Sequence, residues 1–78
     1  MTPNDPALCP ASRALWQATL PLIAAHARTT APARRVLLAR RIARNILTLV
    51  GLGPRLRPAV RPELERLARR WTLLAGWR

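Results

Sequence analysis

The chain of 78 residues contains no Lys, Phe or Tyr, one Cys, one His, and only three acids: Asp5, Glu63 and Glu65. Each shortage removes a class of explanation. A lone Cys9 cannot close a disulfide within the chain, and one Cys with one His cannot build a tetrahedral metal site. His26 has no carboxylate near it in sequence, Cys9 lies between Leu8 and Pro10 with no base beside it, and Ser12 has no nucleophile context. General acid–base and nucleophilic catalysis therefore lack their parts. No glycine-rich phosphate loop and no metal-ligand spacing occurs. The expectation is a non-catalytic protein with no cofactor, no metal and no small-molecule substrate.

Long apolar runs are missing too. The longest, Ile46 to Leu52, is 7 residues and includes Thr48 and Gly51, whereas a membrane-crossing helix needs about 20. The opening MTPNDPALCP lacks the basic and apolar regions of a secretory signal, and its prolines suit an irregular arm over residues 1–10. A cytoplasmic location is expected. A core of this size supplies only about 3–5 kcal/mol without a staple, so self-association or docking on a larger assembly would help the fold.

What is present in excess is arginine. All 14 basic residues are Arg, the formal net charge is +11, and residues 6 to 62 hold ten arginines and no acid. Ala, Arg, Leu and Pro fill 50 of the 78 positions, and all four are written with G- and C-rich codons. Nucleotide bias accounts for Arg in place of Lys, but not for the missing acids, whose codons also contain G and C. A balance this one-sided speaks to partners rather than to fold: nucleic acid, an anionic membrane surface or an acidic protein face.

Hydrophobic spacing predicts an all-α fold, a small three-helix bundle with helices over about 11–28, 32–50 and 62–76 in one domain, 11–78. In the first helix Trp16, Leu20, Ile23 and Ala27 form a stripe that Leu15 and Leu22 widen, with His26 at its boundary. Pro21 lies inside it, so a kink or two short helices meeting near Thr19 and Leu20 is expected. In the second, Thr30 is placed to cap, Pro32 enters the first turn, and Gly51 is placed for the left-handed residue that ends helices. Val36, Leu38, Ala39, Ile42, Ala43, Ile46, Leu47, Leu49 and Val50 cover half of its circumference; Arg34, Arg40, Arg41, Arg44, Asn45 and Thr48 cover the other. Leu37 and Arg35 fall on the wrong sides.

A connector, GPRLRPAVRP, carries prolines at 54, 58 and 62 and arginines at 55, 57 and 61, a composition that favours an extended, stiff path. The third helix begins at Pro62, places Glu63 and Glu65 at the positive end of its dipole, and pairs them with Arg66 and Arg69. Its apolar face is Leu64, Leu67, Ala68, Trp71, Leu74 and Ala75, with Gly76 placed to end it. Trp16 and Trp71 read as core, and Trp77 beside Arg78 as exposed.

The third helix thus offsets part of its charge, while the second offsets none. Arg40 and Arg44 are like charges at i,i+4, a cost of a few tenths of a kcal/mol that an anionic partner would reverse. The expected function is binding of RNA or DNA through Arg–phosphate contacts, as an accessory subunit of a larger nucleoprotein assembly. Arg34, Arg40, Arg41 and Arg44 are the leading residues, with Arg55, Arg57, Arg61, Arg69 and Arg70 in support. Sequence-specific readout has less behind it: RTTAPA could serve as the turn of a helix-turn-helix, but nothing else completes that motif. Two alternatives stand beside this reading: docking on an acidic protein partner or as a homo-oligomer, and lying flat on an anionic membrane surface.

Overall fold

A computed structural model describes residues 10–51 and 61–76. Three helices make up the described chain: α1 (Pro10–Arg28), α2 (Pro32–Gly51) and α3 (Arg61–Leu74). The fold is all-α, a small bundle in which α2 packs against both neighbours. Asn45 late in α2 meets Thr19 in α1, and Arg35 early in α2 meets the end of α1, so these two run antiparallel. Arg40 early in α2 reaches Ala75, just beyond α3, so α2 and α3 are antiparallel as well.

The middle position of α2 follows from its sequence. A helix touching two neighbours must bury a wide arc, and α2 has one: Ala39, Ile42, Ala43, Ile46 and Leu49 are all fully buried. The flanking helices need narrower seams. On α3 the seam is Leu64, Ala68, Trp71 and Ala75, spaced 4, 3 and 4 residues apart and all buried. Such alternation keeps one line of side chains facing a nearly antiparallel neighbour, as in helical bundles.

On α1 the seam departs from the apolar stripe expected there. Of that stripe Trp16 is buried and Leu15, Leu22 and Ile23 are half-buried against the core, but Leu20 and Ala27 are exposed, and Ser12, Thr19 and His26 are buried in their place. Positions 12, 19 and 26 repeat every seven residues and are all polar. Burial of such groups is tolerable only when they are partnered. The Thr19 hydroxyl donates to the Leu15 carbonyl at 2.7 Å and accepts from Asn45 Nδ2 at 3.1 Å. His26, expected at a boundary, is instead packed with its ring edge-on to Trp71, centroids 5.0 Å apart and planes at 82°.

Local signals were partly overridden. α1 runs unbroken through Pro21 and does not divide into two helices; Gln17, whose carbonyl loses its donor to the proline, is exposed, so water can satisfy it. Ala31, not Thr30, opens α2, its carbonyl accepting from Arg35 N–H at 3.0 Å. Gly51 remains the last helical residue without a left-handed φ, whereas Gly76, at φ +76°, ends α3 with its N–H on the Leu73 carbonyl. On α3 the exposed ion pair is Arg61–Glu65 at 3.1 Å, not Glu65 with Arg69 or Glu63 with Arg66. The connector from 52 to 60, the arm from 1 to 9 and Trp77 lie outside the described residues.

Burial, and secondarily the nearby Arg35 guanidinium, lower the His26 pKa below its ordinary 6.5. Above pH 6.5 folded and unfolded chains both carry neutral imidazole, and the full stability is present. As pH falls below 6.5 the unfolded chain takes up its proton first, so stability declines toward the lowered folded value. Urea midpoints should therefore drop between pH 7.5 and 5 in the native chain. His26→Phe, which keeps a ring against Trp71, should flatten that dependence; an unchanged slope would separate it from His26.

Candidate nucleic-acid interface

The arginines of α2 divide into two sets with different tasks. Arg35 projects from the apolar side near the start of the helix, half-buried, and its Nη1 donates to the carbonyls of His26 and Thr29, each at 2.8 Å. Those carbonyls belong to the last turn of α1 and the residue just after it, where the dipole is negative and backbone acceptors are short of donors; the His26 carbonyl also accepts the Thr29 N–H, at 3.3 Å. Arg40 does the same for α3: its Nε donates to the Ala75 carbonyl at 3.3 Å. Cations of α2 thus meet the negative ends of both neighbouring helices. Part of the charge that looks unanswered in the sequence is answered by backbone.

The other arginines of α2 lie on its outward arc. At 100° per residue, Arg34, Arg41, Arg44, Thr48 and the outer part of Arg40 share the exposed side of α2, and Leu37, 64% exposed, stands among them. Arg34 and Arg41 lie toward the α1 flank, Arg40 and Arg44 toward the α3 flank. No acid occurs anywhere on α2. Arg34 to Arg44 spans ten residues, about 15 Å along the axis.

The supporting arginines do not gather on this face. Arg61 is engaged with Glu65. Arg69 projects beside α2, lining a groove with Leu47, Val50, Glu65, Ala68, Thr72 and Leu73. Arg70 lies around the helix, in a separate cavity of about 390 Å³ with Trp16, Glu63, Arg66 and Leu67. Trp16 Nε1 there is buried and has no acceptor among the described residues. Arg55 and Arg57 lie outside the described residues. The continuous surface is accordingly the α2 arc, with Arg69 at its margin.

Two residues with a role here escaped the hydropathy pattern. Arg35 looked misplaced on the apolar side, and only its position in the first turn, opposite the end of α1, hints at a capping contact across a short link. Leu47 fits the apolar half by phase but is 46% exposed, standing at the edge of the groove between α2 and α3. Among the described residues, no three His, Cys, Asp or Glu side chains converge on a metal-sized site, and no helix is long and apolar enough to cross a membrane. Comparison with protein-family models, curated protein sequences and solved structures returned no match.

The division of labour is measurable. Arg35→Met should lower unfolding free energy by about 2 kcal/mol, since it removes two charge-assisted hydrogen bonds from a half-buried site. Arg40→Met should cost less than about 1 kcal/mol, for one longer bond at an exposed helix end. Arg34→Met and Arg41→Met should be nearly neutral in the same urea titrations. Equal effects at all four would show that Arg35 and Arg40 are not special.

Proposed function

We propose that this protein is a non-catalytic, arginine-rich helical module that binds RNA or DNA through phosphate contacts, as an accessory subunit of a larger nucleoprotein assembly. The observation that carries the reading is the outward arc of α2, where Arg34, Arg40, Arg41 and Arg44 stand with no acid on the helix. Guanidinium forks match phosphate oxygens and remain charged. A strand rises about 3.4 Å per phosphate, so about 15 Å of helix faces roughly four of them. The arc is convex and carries Leu37 at its middle, which suits backbone contact rather than base reading.

The membrane alternative has less support, because the apolar half of α2 that would enter lipid is the stripe already buried against α1 and α3. Binding of a labelled single-stranded oligonucleotide should weaken steeply with salt. The log–log slope should fall by about 0.7 in magnitude for each phosphate contact removed from a single strand, so Arg34→Gln, Arg41→Gln and Arg44→Gln should each flatten it. Arg35→Gln should change stability and leave the slope intact. Salt-insensitive or absent binding would defeat the reading.

A further inference from the structure

The α2–α3 groove is chemically unlike the arginine arc beside it. Its volume is about 410 Å³ and its walls are Leu47 and Val50 on one side and Leu73 on the other, with Ala68 as the floor. Leu73 is 68% exposed and Leu47 46% exposed, so two leucines from different helices stand open across one hollow. Scattered exposed leucines are ordinary, but a pair lining a concave apolar patch marks a contact surface.

The polar groups lining the groove are mostly committed. The Thr72 hydroxyl donates to the Ala68 carbonyl at 2.6 Å, and the Glu65 carboxylate accepts from Arg61 at 3.1 Å. Arg69 makes no hydrogen bond or ion pair among the described residues. The groove therefore offers apolar walls and one available cation, on a chain of net charge +11. Phosphate has no use for the leucines, and a flat lipid surface does not match a cleft between two helices. A second copy of this chain would set arginine against arginine, like charges that oppose association.

We infer that the α2–α3 groove seats a short amphipathic helix of a protein partner, with leucine-type side chains in the hollow and an acid facing Arg69. Glu65 to Leu73 spans eight residues of α3, about 12 Å, so the occupant lies along roughly two turns and anchors through positions i, i+3 or i+4, and i+7. This surface adjoins the outward arc of α2 at Arg69, while its apolar walls lie apart from the arc. One chain can then hold an assembly by the groove and a nucleic acid by the arc.

The test uses the full chain and a 14-residue amidated probe peptide, leucine at positions 4, 7, 8 and 11 and glutamate and alanine elsewhere, against a scrambled peptide of the same composition. Fluorescence anisotropy should show the ordered peptide binding at least about tenfold tighter than the scrambled one. Leu47→Gln and Leu73→Gln should each weaken it severalfold, Arg69→Gln should weaken it and flatten its salt dependence, and the leucine variants should leave oligonucleotide affinity unchanged. Leu73 is the more exposed of the two, so its variant keeps the test valid if Leu47→Gln unfolds. Equal binding of the scrambled peptide would reduce the effect to bulk charge and overturn the inference. So would self-association abolished by Leu73→Gln, or flotation with neutral phosphatidylcholine vesicles abolished by it.

Discussion

The structure depends on the sidedness of α2. Five of its residues, Ala39, Ile42, Ala43, Ile46 and Leu49, are removed completely from water, and at about 25 cal/mol per Å² of apolar surface this burial is the main favourable contribution a chain of this length can make. A stripe wide enough to serve two neighbours fixes α2 between them. Its small members matter as much as its large ones, since Ala39 and Ala43 let the helices approach while Ile42, Ile46 and Leu49 fill the interior. With α2 fixed, the antiparallel courses of α1 and α3 follow, and so does the meeting of His26 with Trp71 across the flanking helices.

That arrangement gives the arginines their two tasks. Antiparallel packing brings the carboxyl ends of α1 and α3 to the amino-terminal half of α2, where Arg35 and Arg40 stand. Cations at helix carboxyl ends satisfy orphan carbonyls and oppose a negative dipole, so an acid-free helix can be electrostatically useful without any external anion. Arg34, Arg41 and Arg44, together with the outer part of Arg40, lie outside this requirement on the exposed arc, and the proposed phosphate contact would use that arc. Codon bias favours arginine over lysine, but it places neither Arg35 under His26 nor Arg40 under Ala75.

The helices themselves were legible because α2 and α3 carry strong apolar periodicity and because Pro10, Pro32 and Pro62 each mark a first turn. The α1 seam was legible only in part, at Trp16, Leu15, Leu22 and Ile23: the rest of its buried line is polar at Ser12, Thr19 and His26, and hydropathy assigns such residues to solvent until their partners are known. Asn45, which bonds Thr19, sits on the polar half of α2 for the same reason. Leu20 and Leu47 erred in the other direction, apolar by type yet left open by the packing. For the interface, the four α2 arginines could be placed on one face from spacing alone. Tertiary contact decided the rest: that Arg40 also caps α3, that Arg61 is engaged by Glu65, and that Arg69 and Arg70 face different clefts.

The separation of structural from available arginines is best read on the side chains themselves. In a chain labelled with nitrogen-15 in arginine, guanidinium spectra recorded before and after addition of a single-stranded oligonucleotide should show Arg35 slow to exchange and unmoved. The signals of Arg34 and Arg41 should exchange rapidly when free and shift on binding. Arg35 moving with the others, or Arg34 and Arg41 remaining unchanged at saturating oligonucleotide, would contradict the division of α2 into a face that holds helix ends and a face that meets phosphate.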